Sequence, residues 1–157
     1  MNKNTKEKIC AFYASDYHFE MVSLPYIDKK LDNKDEVIIL TENDLEETIK
    51  ILLDNTNFKE DKKKKILKID WKNNDLEKFK DIKKILTGEK EIVIFIKGKE
   101  GYIKKTNENI EKYIQKEQNI KIIDCYNVEE IGENLDIVMS RYRKILKTTG
   151  EKEIDKI

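Results

Sequence analysis

Short apolar segments alternate with amphipathic ones along this chain, and the alternation restricts its possible folds more than any other feature. Each apolar segment is a nearly unbroken hydrophobic run of strand length, typical of strands covered on both faces. Residues with helical spacing follow most of these runs. The predicted strands lie at residues 9–13, 37–40, 66–70, 92–96 and 120–126.

Strands that alternate with helices favour right-handed crossovers and a three-layer αβα sandwich. We therefore predict an α/β fold with a mostly parallel central sheet of about five strands, of RecA-like or Rossmann-like type. The most apolar run, residues 92–96, is expected at the centre of the sheet. One domain over residues 1–150 is expected, followed by a flexible tail at 151–157.

The segments between the strands carry further predictions. Ser15 or Asp16 is placed to cap the first helix, and Asn73 or Asn74 to cap a helix over residues 76–86. Residues 54–65, which end in four lysines, are predicted to be a solvated connection. The longest helix is predicted near the carboxyl end, from the helical spacing of Val128, Ile131, Leu135, Val138, Tyr142 and Ile145.

Composition narrows the functional classes. Lys and Arg number 32 and are balanced by 32 Asp and Glu, so no global field attracts nucleic acid or an acidic membrane. No run approaches the roughly 20 apolar residues of a membrane span, and the first residues lack a signal-peptide core. A cytoplasmic protein that does not bind nucleic acid directly is expected. Cys10 and Cys125 lie in predicted strands, which favours buried thiols over a disulfide or metal pair and leaves a redox role for them open.

The carboxyl ends of parallel strands meet at one edge of a sheet, where ligands of such folds bind. Polar residues gather at this edge and could hold a small polar or aromatic ligand. The candidates are Tyr13, Ser15, Asp16, His18, Thr41, Glu42, Trp71, Lys97, Lys99, Glu100 and Tyr126, with Asn43 and Asp70 beside them.

The first strand–helix junction contains no glycine and no Gly-Lys-Ser/Thr, so it cannot form a P-loop. The turn at residues 97–101 has two glycines and two lysines, but its spacing matches no phosphate-binding fingerprint. We interpret it as a turn that needs glycine, with anion binding as the weaker alternative. Ser15 is expected to cap a helix, and the single histidine, His18, to be partly exposed; an enzyme, a metal site and a cofactor are therefore not predicted.

Five segments resemble MEDS domains, sensory modules named from methanogen and methylotroph regulators. The similarity lies in residues 9–13, in residues 24–27 followed by Leu31, in the acidic break before residues 37–40, and in residues 95–102 and 123–126. The resemblance implies a relative of the KaiC-like, RecA-type ATPases that has lost its P-loop and serves in signal sensing, often beside kinase or DNA-binding domains. Lys8 and the pair Tyr142-Arg143 stand where that family has histidine and His-Pro, so a ligand site built on those histidines is not expected.

Three functional hypotheses follow. The first is a non-enzymatic sensory module that acts through a small ligand or through a protein partner, such as a kinase or a transcription regulator. The second is a nucleotide- or anion-binding protein that uses the turn at residues 97–101. The third is a homo-oligomeric interaction module, for example a homodimer.

Overall fold

A mixed, mostly parallel sheet organises the computed structural model, which describes residues 6–73, 77–78, 91–113 and 119–154. Within those residues the sheet has six strands: β1 (Lys6–Tyr13), β2 (Glu36–Thr41), β3 (Ile92–Gly98), β4 (Ile120–Asn127), β5 (Lys144–Lys147) and β6 (Gly150–Glu153). Their order is β2–β3–β4–β1–β5–β6. Only the β5–β6 pair is antiparallel. The predicted α/β fold is confirmed, with one strand more than expected.

Helices cover both faces of the sheet. One face carries α1 (Asp16–Asp32), α2 (Glu46–Asp54) and α3 (Glu60–Leu67), and the other carries α4 (Glu100–Tyr113), α5 (Val128–Ile131) and α6 (Leu135–Met139). Each face has its own hydrophobic core, because side chains alternate along every strand. Phe95 belongs to the α1 core, and Ile94 and Ile96 to the α4 core. The result is a three-layer sandwich.

The prediction of a central position for residues 92–96 is wrong, because β3 lies second in the sheet order, next to the edge strand β2, although it is paired on both sides. β3 pairs in parallel with β2 and with β4, and each of its residues is buried. An unbroken apolar run suits a strand covered on both faces by helices. No helix among the described residues is long and apolar enough to cross a membrane.

The predicted third strand, residues 66–70, is wrong. Residues 60–67 form α3, so the predicted solvated connection at 54–65 is also partly helical. Glu60 and Asp61 lie in the first turn of α3 and two lysines in its last turn, an arrangement that stabilises a helix dipole. Only Ile66 of this helix is buried, so electrostatics and propensity prevailed over a short apolar pattern.

The long carboxyl-terminal helix is also wrong. The stripe breaks into α5, a 3-10 turn at Gly132–Asn134 and α6, and Gly132 has a positive φ of 54° that interrupts a regular helix. Ile145 lies in β5, which pairs with β1, instead of continuing the helix. Residues 150–153 of the expected junction and tail form β6. Most of the predicted helix at residues 76–86, and residues 155–157, lie outside the described residues.

Candidate functional site

Strands β1 to β4 end at the same edge of the sheet, as the sequence predicts. β1 leads into α1 on one face, whereas its neighbour β4 leads into α5 on the other. Adjacent strands whose connections leave toward opposite faces create a crevice in which ligands of open α/β sheets bind. The polar groups at this edge therefore lie where a ligand of such a fold would bind.

Lys97 is the centre of a strand-end cluster that also contains Asp16, Asn43, Thr41 and Tyr13. Its Nζ lies 2.8 Å from Asp16 Oδ1 and donates to Asn43 Oδ1, also at 2.8 Å. Asn43 Nδ2 in turn donates to Asp16 Oδ2 at 3.0 Å. The Lys97 side chain is only 3% exposed. The predicted residues Asp16 and Lys97 are thus brought together as an ion pair in which Lys97 is buried and Asp16 is partly exposed.

Aromatic rings close the strand-end cluster from the side of the core. Lys97 Nζ lies 4.7 Å from the centre of the Tyr13 ring and 5.5 Å from that of Phe19, within the range of cation–π attraction. Thr41 Oγ1 donates to the Asn43 carbonyl at 2.7 Å and fixes the turn that presents the amide. The ammonium group is therefore surrounded by protein groups, and a ligand would have to displace Asp16 to reach it.

The turn at residues 97–101 leads into α4, and carboxylates of the chain itself accept from its amide groups. Lys99 N donates to Glu42 Oε1 at 2.9 Å, and Glu100 N donates to Glu130 Oε1 at 3.0 Å. Gly98 is required here, because a Cβ would lie 2.6 Å from Tyr102 Cδ2 and 2.8 Å from Glu42 Oε1. A phosphate at this turn would have to displace two carboxylates.

Ser15 and His18 have structural roles. Ser15 Oγ accepts from His18 N at 3.1 Å and caps α1, as predicted, while His18 Nδ1 accepts from Ala14 N at 2.8 Å. Trp71 does not reach the strand-end cluster. It is buried in the α1 core, where its Nε1 donates to the Ile66 carbonyl at 2.9 Å.

The two cysteines are free and buried. Cys10 faces the α4 core and Cys125 the α1 core, so the sheet separates them and no disulfide joins them. Burial raises the pKa of Cys10 to about 12 and also raises that of Cys125. Both thiols are protonated at neutral pH, which disfavours a redox role.

Sequence reasoning missed an open pocket on the α4 face, which we call the Asp124 pocket. Its volume is about 290 Å³, and it lies between α4, β4 and residues 141–142. Two predicted residues, Glu100 and Tyr126, line it instead of joining Lys97. The other lining residues are Lys8, Ile103, Lys104, Asn107, Glu108, Glu111, Asp124, Arg141 and Tyr142.

Asp124 is the hub of hydrogen bonds at the base of this pocket. Tyr142 Oη donates to Asp124 Oδ2 at 2.6 Å, and the Tyr142 and Tyr126 hydroxyls are 2.6 Å apart. Asn107 Nδ2 donates to Asp124 Oδ1 at 2.9 Å and to the Ile103 carbonyl at 3.0 Å. Asn107 Oδ1 is buried and has no hydrogen-bond partner.

Burial shifts the pKa values of the side chains at the bottom of the Asp124 pocket. Desolvation raises the pKa of Asp124 above its usual value, although hydrogen bonds from Tyr142 and Asn107 and the charge of Lys8 act in the opposite direction. Burial likewise raises the pKa of Tyr126 to about 12. One sign of this pocket is present in the sequence, because an aspartate interrupts the apolar run of β4 and shares a sheet face with Tyr126. Its partners Asn107 and Tyr142 come from distant segments and could not be assigned to it.

Fold and site together define this chain as an α/β sandwich with a closed ion-pair cluster at its strand ends and an open polar pocket on one face. The described residues contain no group of three His, Cys, Asp or Glu side chains that could hold a metal ion. Comparisons with protein-family models, curated proteins and solved structures find no match for the chain.

Proposed function

We propose that this chain is a non-enzymatic, cytoplasmic sensory module that binds a small molecule in the Asp124 pocket and signals through a protein partner. The observation that carries the proposal is the unpartnered Asn107 Oδ1 beside the buried Asp124 carboxyl in an open pocket. Buried polar groups are almost always hydrogen-bonded, and an exception calls for an explanation. A bound molecule would supply the missing partner.

Binding rather than catalysis is favoured by the existing bonds of the reactive side chains. Ser15 caps a helix, His18 accepts from a backbone amide, and both thiols are protonated. A nucleophile needs a neighbouring base or a lowered pKa. The sensory role also agrees with the resemblance to MEDS domains, which implies signal sensing without a P-loop and a kinase or transcription regulator as partner.

Nucleotide or anion binding at residues 97–101 is the weaker proposal. Glu42 and Glu130 occupy the amide groups that a phosphate would use, and their negative charge repels it. Titration with ATP and magnesium, followed by thermal unfolding, separates the two proposals. Stabilisation by ATP that persists in an Asp124→Asn variant would favour the nucleotide function.

Native mass spectrometry of the protein, purified gently from its own cells, tests the proposed function. We expect a non-covalent small-molecule adduct that is lost in Asp124→Asn and kept in Glu20→Gln. Glu20 is the matched control, because it is a buried carboxylate that accepts from Thr48 on the other face of the sheet. A bare mass in every preparation, with no stabilisation by a small-molecule extract of the cells, would contradict the proposal.

A further inference from the structure

At the bottom of the Asp124 pocket every hydrogen-bond donor of Asn107, Tyr126 and Tyr142 is engaged, whereas one acceptor has no partner. Both protons of Asn107 Nδ2 are engaged, by Ile103 O and Asp124 Oδ1. The Tyr142 proton goes to Asp124, which leaves the Tyr126 proton for the bond between the two hydroxyls. Asn107 Oδ1 has no hydrogen-bond partner, and each carboxylate oxygen of Asp124 accepts from one described donor and has the capacity to accept from another. A molecule that binds this base must therefore bring N–H or O–H donors.

Charge restricts the donor further. Asp124 is 2% exposed and forms no ion pair with a described residue. The positive charge of Lys8 lowers the pKa of Asp124 without a direct contact between the two side chains. An ionised carboxylate in such a place is costly unless it is paired and hydrogen-bonded. At the strand ends, by contrast, Lys97 has Asp16. The missing partner of Asp124 is a cation.

We propose that the Asp124 pocket binds a small organic cation whose N–H groups donate to Asp124 and to Asn107 Oδ1. The proposal rests on the proposed function and names the chemical class of its ligand. A guanidinium group fits best, since its planar fork can donate to two neighbouring oxygens at once. The pocket volume of about 290 Å³ suits a small metabolite.

The rim of the pocket carries charges of both signs. Lys8, Lys104 and Arg141 line it together with Glu100, Glu108 and Glu111, and Arg141 is paired with Glu100 at 3.4 Å. The rim therefore does not select an anionic group on the ligand, and the cation at the bottom of the pocket is the part of the ligand that the proposal specifies.

Calorimetric titration of the full chain with matched probes tests this inference. The probes are 4-guanidinobutanoate, its neutral isostere 4-ureidobutanoate, and propylguanidinium, which lacks the carboxylate. We expect the guanidino acid to bind at least about tenfold more tightly than the ureido acid, roughly 1.4 kcal/mol. Propylguanidinium, which keeps the cation, should also bind more tightly than the ureido acid. Equal binding of the guanidino and ureido acids, or no binding of either, would overturn the inference.

Variants locate the site. Asp124→Asn should abolish the preference for the guanidino acid, and Glu20→Gln should preserve it. Asn107→Ala gives a second test in case Asp124→Asn does not fold, and it should weaken the guanidino acid about tenfold. A preference that survives both Asp124→Asn and Asn107→Ala would overturn the inference. If neither probe binds but a native adduct is present, the proposed ligand class is wrong and the sensory proposal stands. If the adduct is also absent, the ligand class and the sensory function are both wrong.

Discussion

The strand-end cluster and the Asp124 pocket bury similar chemical groups on opposite faces of the sheet, yet only the first is complete. Lys97 has a carboxylate, an amide oxygen and an aromatic face around its ammonium. Asp124 has two donors but no cation, beside an amide oxygen without a partner. A satisfied polar network rigidifies a fold, whereas an unsatisfied one is destabilising by itself. This contrast is the reason why we propose a ligand for the Asp124 pocket and none for the strand-end cluster.

The largest effect is expected from breaking the closed cluster. Asp16→Asn preserves shape but removes the charge that pairs with buried Lys97, and should lower the free energy of unfolding by about 3 kcal/mol. Asn43 still accepts from the ammonium, which keeps the loss at the lower end for a broken buried pair. Urea unfolding followed by circular dichroism measures it.

Lys97→Met is the matched control, because it removes the buried charge itself and leaves Asp16, which is 37% exposed, to water. We expect a smaller loss, about 1 kcal/mol. An Asp16→Asn variant as stable as the wild type would show that the strand-end cluster is not a closed ion pair.

A smaller effect is expected at the turn next to the strand-end cluster. Gly98→Ala places a Cβ against the Tyr102 ring and the Glu42 carboxylate, both of which must move. Overpacking of this kind costs about 1–2 kcal/mol. Thermal unfolding checks the value, with Gly101→Ala as the control, since a Cβ at Gly101 meets nothing within 4 Å. Equal effects at the two glycines would contradict the close approach of Glu42 to α4.

The pH dependence of stability should distinguish Asp124 from a neutral residue. Burial raises its pKa above the usual 3.8, so the folded state holds the proton more tightly than the unfolded chain does. Ionisation therefore lowers stability as pH rises through the interval above 3.8. Asp124→Asn should be more stable than the wild type at pH 7, and the difference should shrink near pH 3.5.

Glu20 gives a parallel case, because burial raises its pKa above the usual 4.5. Urea midpoints of Glu20→Gln and Asp124→Asn at both pH values should move in the same direction. Only Asp124→Asn should also lose binding of the guanidino probe. A gain in stability at pH 3.5 as large as at pH 7 would argue against a buried, ionised Asp124.

The smallest effect is expected for the cysteines. Cys10 lies on the face of the sheet that carries the Asp124 pocket, and Cys125 lies on the opposite face. Iodoacetamide at pH 8 should label neither Cys10 nor Cys125 in the folded protein, because the thiolate is the nucleophile and burial raises both pKa values. Mass spectrometry should detect two labels only after denaturation. Rapid labelling of one cysteine in the native state would restore a redox role.

The sequence predicts the parallel core of this fold because β1 to β4 are buried on both faces and their apolar runs carry the signal. It fails at residues 66–70 and 144–147 for physical reasons. Ile66 is an isolated buried residue on a charged helix, and Ile145 continues a helical spacing that Gly132 has already interrupted. Short strands such as β5 depend on pairing with β1 and β6, which is a tertiary interaction.

The candidate site was predictable only in part. Asp16 and Lys97 follow from the rule that strand ends share an edge, but the rule does not say that the two would neutralise each other. The Asp124 pocket joins β4, α4 and residues 141–142, and sequence spacing carries no information on such a meeting. An aspartate inside an apolar strand was the one local sign of it.

The carboxyl pKa of Asp124, measured by ¹³C NMR with and without 4-guanidinobutanoate, tests the central claim most directly. The free protein should show a pKa above 3.8, because the group is buried and forms no ion pair with a described residue. Saturation with the guanidino acid should lower that pKa, since a cation favours the ionised form. A pKa at or below 3.8 in the free protein, or one that the probe does not move, would contradict the account.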